Sequence, residues 1–444
     1  MLRREFLSAS LGAVAAPAQT RRPNVIVIVS DDQGFGDLGC NGSPDAKTPN
    51  LDRIAASGVR LADWHANSPV CSPSRASILT GKYPQRAGVP QILTSKPEGG
   101  VPGLREGEKT LASELRAAGY NTGAVGKWHL GTTPHSKPLA QGFQEHFGFY
   151  SGWIDYYSHR YYALGSTQNQ AIFHDLWRND KEIFEEPGYQ TEILGREAKS
   201  FLGRQSAAKP FFLYVAFGAP HYPMMAPQRY LERFPAGMDR DRRMHLAVVN
   251  GLDEAVGGLL DELERKGLAR DTAILFQGDN GATHEERADH LSRPYEGGSN
   301  GGFRGWKGSL FEGGHRVPSV FRYPAKVKSG QTFTGMGMGM DILPTMLSFA
   351  GVPIPAGIDG TDLSSSLVSG EKPKERTVFW DYANQRAVRR GDWKLIQNPR
   401  EFLNGAQRNE TWLSNLKDDA KESRNWAAEN ASMAAELQKA TFPF

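Results

Sequence analysis

A cysteine followed by a proline two residues later and an arginine four residues later carries the clearest chemistry in this sequence. Residues 70–81 read Val-Cys-Ser-Pro-Ser-Arg-Ala-Ser-Ile-Leu-Thr-Gly. Pro73 suits a first helical turn and Gly81 suits a helix end, so a helix is predicted to begin at or just before Cys71. Such a terminus favours a thiolate or a bound oxyanion, and Arg75 adds positive charge about one turn later. The alternative is a small apolar cysteine that fills the packing beside a helix.

Two polar pairs supply oxygen ligands for a hard cation. Asp31-Asp32 and Asp279-Asn280 each follow an apolar, β-branched run. Taken singly, each pair also fits an ordinary turn. Together they offer four oxygen ligands at two strand ends, which suits Ca²⁺ or Mg²⁺ and not zinc, whose sites prefer nitrogen and sulfur.

The elements that position these residues alternate between strand and helix. The continuous apolar runs 24–30, 211–217 and 272–276 predict strands buried on both faces. Residues 241–266 carry leucine and valine at helical spacing, which predicts a long amphipathic helix. This alternation predicts a doubly wound α/β sheet with helices on both faces.

Three of the predicted strands end in polar residues. His221 follows the second apolar run, as the aspartates follow the first and the third. Open α/β sheets bind ligands outside the carboxyl ends of their strands. The three strand ends are therefore expected to converge on one crevice.

The rest of the chain divides into segments of different composition. Residues 140–190 are rich in aromatics without a clear period, which predicts long loops over a site. Residues 335–340 alternate glycine and methionine, and the sequence is interpreted as packing on a short edge strand. A main domain is predicted over 22–350, a linker rich in proline, glycine and serine over 351–375, and a small α+β subdomain with an antiparallel sheet over 376–444.

Composition excludes several classes of protein. The 444 residues contain 39% hydrophobic residues, enough for a large core. Lys+Arg 52 against Asp+Glu 49 gives a formal charge of +3, so neither a nucleic-acid-binding surface nor a basic membrane arm is expected. No stretch beyond the N-terminus approaches the ~20 apolar residues of a membrane span. With only Cys40 and Cys71, no disulfide framework is expected, and Cys40 is predicted to be a buried bystander.

The N-terminus predicts export. Residues 1–18 combine a basic start, a short apolar run and an Ala-Pro-Ala cleavage site, so a signal peptide cut after Ala18 is predicted. The order Arg3-Arg4-x-Phe6-Leu7 resembles a bacterial twin-arginine signal, and an ordinary Sec signal or a frayed tail is the alternative. The expected location is periplasmic or extracellular, with the export machinery as a partner.

The residues 71–75 resemble the Cys-x-Pro-x-Arg signature of type I sulfatases, in which the cysteine is oxidised to formylglycine, an aldehyde. Other segments resemble motifs of the same family in the same order, and they span most of residues 24–320: Asp31-Asp32, Gly126-Lys127-Trp128-His129-Leu130-Gly131, Ala219-Pro220-His221, Gly278-Asp279-Asn280-Gly281, Gly305-Trp306-Lys307 and Glu312-Gly313-Gly314. The resemblance implies the alkaline-phosphatase-like fold, a sulfuric ester hydrolase, and a formylglycine-generating maturation enzyme as a partner.

The resemblance also implies roles for single residues. A divalent cation, calcium with magnesium as the alternative, would be held by Asp31, Asp32, Asp279, Asn280 and the modified Cys71. The sulfate would be surrounded by Arg75, Lys127, His129, His221 and Lys307. An oxygen of the hydrated aldehyde would attack sulfur and release the alcohol, and expulsion of sulfate would then restore the aldehyde. His129 is the candidate base, His221 with Lys307 the candidate proton donor to the leaving oxygen, and Ser151 a candidate substrate contact.

The substrate is interpreted as a sulfated carbohydrate. Residues 298–301, Gly-Ser-Asn-Gly, resemble N-acetylgalactosamine-6-sulfatases, which implies a glycan with sulfated galactose or galactosamine. The aromatic loops offer faces for sugar rings, although such loops also pack on themselves. Two alternatives remain at this point: a phosphodiesterase or phosphonate monoester hydrolase of the same fold, and a non-catalytic glycan-binding exoprotein.

Overall fold

The structure is a computed structural model that describes residues 21–96, 100–162, 172–286 and 293–444. The predicted export signal, residues 1–18, lies outside this part of the chain. Across the described segments, no helix has both the length and the apolar character that a membrane crossing requires.

Strands and α-helices are numbered separately along the described residues. The strands are β1 (Asn24–Ser30), β2 (Val59–Leu61), β3 (Trp64–His65), β4 (Asn121–Lys127), β5 (Glu145–Phe149), β6 (Arg160–Tyr161), β7 (Phe173–His174), β8 (Trp177–Arg178), β9 (Lys181–Glu182), β10 (Phe211–Ala216), β11 (Thr272–Gly278), β12 (Ser319–Arg322), β13 (Gln331–Phe333), β14 (Gly337–Met338), β15 (Thr377–Tyr382), β16 (Gln385–Arg390), β17 (Trp393–Gln397) and β18 (Thr411–Asn415). The α-helices are α1 (Pro49–Ala56), α2 (Cys71–Thr80), α3 (Pro84–Ala87), α4 (Leu111–Ala117), α5 (Gln190–Gly203), α6 (Gln228–Leu231), α7 (Arg240–Arg265), α8 (Glu312–His315), α9 (Ile342–Phe349), α10 (Ser364–Ser369) and α11 (Ala431–Gln438).

One ten-stranded sheet runs through the main part of the protein in the order β13-β2-β12-β11-β1-β10-β4-β5-β8-β9. Its central strands, from β11 to β5 in that order, are parallel. Antiparallel pairing begins on either side of them, at β12 and at β8. The prediction of an α/β sheet with helices on both faces is confirmed, and the antiparallel strands toward both edges make the sheet mixed.

The central strand β1 shows how the sequence divides the core into two layers. Val25, Val27 and Val29 lie in the hydrophobic cluster on one face, which also contains residues of α2, α4 and α9. Ile26 and Ile28 lie in the cluster on the other face, with residues of α1, α5 and α7. Successive side chains of a strand point to opposite faces, so a continuous apolar run is needed to fill both layers.

A second, four-stranded antiparallel sheet in the order β15-β16-β17-β18 follows near the C-terminus, and α11 packs on its middle strands. It shares an apolar cluster with the main domain, in which Val70 and Phe311 meet Trp380 and Leu413. The indole Nε1 of Trp380 donates to the carbonyl of Ala66 at 2.8 Å. The predicted α+β subdomain is confirmed, and it packs closely on the main domain.

A buried ionic cluster also joins the two parts. Lys394 on β17 is fully buried, and its Nζ lies 2.9 Å from Glu312 Oε1 and 3.3 Å from Glu422 Oε1. The same Nζ lies 3.0 Å from His315 Nε2. A buried charge needs paired partners, so these contacts fix the small sheet to helix α8.

Two segments differ from their predicted form. Residues 140–190, predicted as loops, contain β5 to β9; four of these strands are only two residues long, too short to produce a period in the sequence. Within 335–340 only Gly337–Met338 is a strand, paired with β3, because a 3-10 helix begins at Gly339. Met338 and Met340 are buried, which confirms the predicted packing role.

The segment 351–375, predicted as a linker, is only partly a connection. It contains α10, and Leu363 and Leu367 are buried in the same apolar cluster as α9. Its serine-rich composition concealed these two buried leucines. The domain boundaries at 350 and 376 stay predictions.

Candidate active site

Polar residues converge where three parallel strands end. Asp31 and Asp32 follow β1, His221 lies beyond β10, and Asp279 and Asn280 follow β11. One ligand atom from each of four side chains lies within 4.8 Å of the others, and these are Asp31, Asp32, Cys71 and His221. The backbone N–H of Asp32 donates to Asp279 Oδ1 at 3.1 Å, and Asn280 Nδ2 donates to Asp32 Oδ1 at 2.7 Å. The predicted crevice at the carboxyl edge of the sheet is confirmed.

Cys71 is the first residue of α2, as the sequence predicts, and it points at the acidic pair. Its Sγ lies 3.4 Å from Asp31 Oδ1 and 3.9 Å from Asp32 Oδ1. Burial, reinforced by the charges of Asp31 and Asp279, raises the pKa of the Cys71 thiol well above its ordinary value. The prediction that the helix terminus favours a thiolate is therefore wrong, because burial and the nearby carboxylates outweigh the dipole and the lysines. Cys40 is also a free thiol, but it is only partly buried, so the prediction of a buried position is wrong.

Three buried cations pair with the three aspartates that follow β1 and β11. Arg75 donates through Nε and Nη2 to Asp279 Oδ2 at 2.9 and 2.8 Å. Lys127, at the end of β4, donates to Asp31 Oδ2 at 2.6 Å, and Lys307 donates to Asp32 Oδ2 at 2.9 Å. Arg75, Lys127 and Lys307, three of the five residues that the family resemblance assigns to the sulfate, are thus at the centre, and each contacts a carboxylate.

Glu285 is a member of this network that the sequence did not reveal. Its Oε2 lies 3.0 Å from Lys307 Nζ, and its side chain is buried. It belongs to no motif and follows an irregular segment, so no pattern in the sequence distinguishes it from a surface glutamate.

Burial shifts the pKa values of the aspartates at the centre, and the neighbouring cations oppose that shift. Burial raises the pKa of Asp31 to about 7 and also raises the pKa of Asp32, even though Lys127 and Lys307 oppose the shift. For Asp279, burial acts in the same direction, but Arg75 and Lys127 outweigh it and lower the pKa. A divalent cation among these groups would stabilise their ionised forms.

The donor set fits a hard cation. Asn280 Oδ1 is buried and has no hydrogen-bond partner among the described residues, although its Nδ2 is bonded. An amide oxygen beside three carboxylates is a typical oxygen set for Ca²⁺ or Mg²⁺. The four residues therefore form a cluster whose chemistry matches a divalent metal ion.

Two histidines flank the centre. His129 donates through Nε2 to the Leu93 carbonyl at 3.0 Å, and its Nδ1 has no hydrogen-bond partner among the described residues. Burial and the charge of Lys127 lower its pKa well below the ordinary value. His221 donates through Nδ1 to the Tyr222 carbonyl at 2.7 Å, and its Nε2 lies 3.4 Å from Lys307 Nζ. His129 thus has an open nitrogen at Nδ1, and His221 Nε2 lies beside the Lys307 ammonium.

The backbone is strained at two of these positions. Asp32 and His129 adopt φ angles of 58° and 54°, in the left-handed region that residues with a Cβ seldom occupy. Gly152 packs on the His129 ring so closely that a Cβ there would lie 2.8 Å from Cε1. Strain of this kind typically persists at functional sites, where the surroundings enforce it.

A cavity of about 370 Å³ is lined by Ser151, the neighbour of the Gly152 that packs on His129. The N–H of Ser151 donates to Asp175 Oδ2 at 2.7 Å. Lys96, Tyr150 and Trp177 also line it. Several other aromatics of the segment are buried in the two main cores, so only part of the predicted aromatic surface is available to a ligand: Phe143, Phe147 and Tyr156.

Comparison with known proteins gives one consistent answer. A sequence model described as Sulfatase matches residues 23–352, and one described as N-sulphoglucosamine sulphohydrolase, C-terminal, matches residues 302–441. N-acetylgalactosamine-6-sulfatase of Mus musculus is 35% identical over 409 residues, which is 87% of this chain and 74% of that protein. Arylsulfatase A of Homo sapiens is 34% identical over 413 residues, 86% of this chain and 76% of that protein. The solved structure of Ps i-CgsB in complex with k-i-k-neocarrahexaose matches with a TM-score of 0.82 and 31% identity, over 94% of this chain and 91% of that chain.

The pairing of buried cations with buried carboxylates predicts that loss of one cation lowers the free energy of unfolding. In Arg75→Met, Asp279 loses the guanidinium that donates two hydrogen bonds to it, so the free energy of unfolding of the metal-free protein should fall by about 3–5 kcal/mol. Urea denaturation in the presence of a chelator measures this quantity. The matched control is Arg53→Met, whose Nη1 is also 2.8 Å from an aspartate, Asp261, but at the surface. The control should change by less than about 1 kcal/mol, and equal losses in both variants would contradict the pairing described here.

Proposed function

Because this chain belongs to the sulfatase family and is therefore a sulfuric ester hydrolase, we propose that it removes sulfate from a carbohydrate by chemistry centred on Cys71. The observation that carries the proposal is the position of Cys71 at the start of α2, directed at Asp31 and Asp32 within a shell of buried cations. The proposed substrate is a glycan containing sulfated galactose or galactosamine.

The nucleophile is proposed to arise by oxidation of Cys71. Burial raises the pKa of the Cys71 thiol and so disfavours the thiolate, which agrees with a nucleophile other than sulfur at this position. Formylglycine, once formed and hydrated, supplies a hydroxyl oxygen for attack on sulfur. A maturation enzyme that generates formylglycine is the corresponding partner.

A divalent cation, Ca²⁺ or Mg²⁺, is proposed to be held by Asp31, Asp32, Asp279, Asn280 and the modified Cys71. When bound, it supplies positive charge that stabilises the anionic oxygens of the sulfate group. The orphaned Asn280 Oδ1 supports this assignment, because an unpartnered buried acceptor is costly unless a ligand satisfies it.

The basic residues are proposed to bind and orient the sulfate. In this structure Lys127 and Lys307 donate hydrogen bonds to Asp31 and Asp32. If a metal cation bound those carboxylates, the ammonium N–H groups would be available to the sulfate oxygens. Arg75 is held more tightly, with both its Nε and its Nη2 on Asp279. Its proposed role is to hold that carboxylate and to add positive charge behind the sulfate.

The two histidines are proposed to move the protons. His129, neutral and with an open Nδ1, suits a general base that removes the proton of the second hydroxyl when sulfate is expelled. His221 Nε2 lies beside Lys307 Nζ, so this pair suits proton donation to the leaving sugar oxygen. Ser151 in the cavity wall is proposed as a substrate contact.

Support for a carbohydrate substrate comes from relatives and from the cavity. The relatives include N-acetylgalactosamine-6-sulfatases, and a similar structure holds a neocarrahexaose. In this chain, however, Asn300 of the motif at residues 298–301 forms its hydrogen bonds within the protein. Asn300 Oδ1 accepts from Ala282 N–H at 2.9 Å, and its Nδ2 donates to the Gly305 carbonyl at 2.9 Å. This motif therefore supports the position of the Lys307 loop, and the aromatic and basic residues of the cavity carry the argument for a sugar.

The location is proposed to be periplasmic or extracellular. The support is the sequence of residues 1–18, read as a signal peptide for the twin-arginine or the Sec route. The export machinery is the partner that this proposal implies.

Initial rates on three ester classes test the proposed function. The mature, metal-loaded protein should release sulfate from 6-sulfated galactosamine or galactose oligosaccharides faster than from an aryl sulfate, and an aryl phosphodiester should react slowest. Dominant phosphodiester turnover would identify a phosphodiesterase of the same fold. Absence of turnover on every sulfate ester would favour a glycan-binding exoprotein, and activity confined to aryl sulfates would exclude the glycan assignment.

The proton-donor role proposed for His221 predicts that its substitution slows some substrates more than others, according to their leaving group. His221→Gln should lower kcat on a sugar sulfate by about 10²–10⁴-fold, because the alkoxide is a poor leaving group without a proton. The loss on an aryl sulfate with an acidic phenol should be much smaller, since that leaving group needs no proton. The exposed His135 provides the control, and His135→Gln should leave both rates unchanged. Equal losses on both substrates would assign His221 to sulfate binding instead.

A further inference from the structure

A second group of metal-ligating side chains lies away from the strand-end crevice. His159, His174 and Glu186 each offer a ligand atom within 4.8 Å of the others. Both histidines are buried, and Glu186 is exposed. His174 ends β7 and Glu186 lies between β9 and α5, so the group joins two separate segments. None of these residues has a role in the proposed hydrolysis.

His159 is prepared as a metal ligand by its backbone contact. Its Nε2 is 2.9 Å from the Gly188 carbonyl, which can only accept, so the ring proton resides on Nε2. The lone pair of Nδ1 is then open, and Nδ1 has no hydrogen-bond partner among the described residues. The side chain is fully buried at a strained φ of 51°, so the fold keeps the ring in this place. Burial lowers the pKa of His159, which favours the neutral, ligating form.

His174 shows the complementary arrangement. Its Nδ1 lies 2.9 Å from Glu182 Oε1, so in the neutral ring the carboxylate holds the proton on Nδ1. Its Nε2 then presents a lone pair 3.4 Å from Glu186 Oε1. That separation equals the edge of a tetrahedron whose metal–ligand bonds are about 2.0–2.1 Å long.

From this geometry we propose that His159, His174 and Glu186 form a binding site for a zinc-class divalent cation. Two imidazole nitrogens and one carboxylate are a ligand set typical of Zn²⁺, and the exposed side of Glu186 leaves a fourth position for water. Each imidazole donates its other N–H to a carbonyl or carboxylate, as zinc-bound histidines do. The active-site cluster differs, since its ligands are mainly oxygens.

A third group of similar composition shows why this one is distinctive. His65, Glu312 and His315 also lie within 4.8 Å of one another, but the ammonium of Lys394 lies 2.9 Å from Glu312 Oε1 and 3.0 Å from His315 Nε2. A cation already satisfies those acceptors. No lysine or arginine of the described residues forms an ion pair with Glu186 or donates to the open nitrogens of the two histidines.

The position of the proposed zinc site gives it a structural role. His174 and Glu182 line the cavity that Ser151 also lines, and Asp175 accepts from the N–H groups of Tyr150 and Ser151 in the cavity wall. A metal ion that joins His174 to Glu186 would stiffen this wall. The binding itself does not rest on the proposed hydrolysis, so either proposal can fail alone.

Zinc stoichiometry of the full protein tests the proposal. Protein saturated with excess Ca²⁺ is dialysed against micromolar Zn²⁺, and bound zinc is measured by elemental analysis. We expect one equivalent of zinc and a rise in Tm. His159→Gln, His174→Gln and Glu186→Gln should each lose this equivalent while retaining bound calcium. The adjacent carboxylate variant Glu185→Gln is the matched control and should keep it.

A variant that keeps all three ligands, and a spectrum of the bound metal, distinguish loss of the site from loss of folding. Glu182→Gln retains all three ligands and should weaken zinc binding by about 10-fold. Co²⁺ in place of Zn²⁺ should give the visible absorption of a four-coordinate site, and the band should vanish in Glu186→Gln. Absence of a zinc equivalent in the wild-type protein would overturn the proposal. So would an equivalent that survives all three ligand substitutions, because the ion would then reside elsewhere.

Discussion

The fold is organised around the cost of burying three carboxylates at one edge of a sheet. Asp31, Asp32 and Asp279 follow the carboxyl ends of the neighbouring parallel strands β1 and β11, which brings them together where the core excludes water. Three such charges cannot stay ionised in a protein interior without cations. Arg75, Lys127 and Lys307 supply them from a helix, a strand end and a loop, whose positions are therefore tied to the centre.

The small C-terminal subdomain holds the loop that carries Lys307 in position. Backbone and hydroxyl groups of this loop bond to the following subdomain, with Trp306 N–H donating to the Glu401 carbonyl at 2.8 Å and Ser309 Oγ donating to the Arg400 carbonyl at 2.6 Å. Gly308 N–H donates to the carbonyl of Pro69 at 2.9 Å, two residues before Cys71. The small sheet thus supports both the cation and the residue proposed to become the nucleophile.

The sequence predicted the elements that depend on local hydrophobic periodicity and the crevice that depends on where strands end. The run at 24–30 and the spacing in 241–266 each correspond to an observed element, β1 and α7, because β1 fills both layers of the core and one face of α7 packs in one of them. The meeting of the strand ends follows from parallel topology. Cys71 as a thiolate was wrong because its pKa depends on burial, which arises only after folding. Glu285, the short strands of 140–190 and the buried leucines of α10 depend on long-range packing and leave no local pattern.

The proposed mechanism depends most directly on the chemical state of residue 71. Mass spectrometry of the peptide that contains Cys71, from protein made in its native host, measures that state. Cys71 lies buried against Asp31, among oxygen groups proposed to bind a metal ion, so the proposed mechanism predicts a substantial fraction of aldehyde or its hydrate at this position. A peptide that carries only the thiol, in protein that hydrolyses sulfate esters, would contradict it.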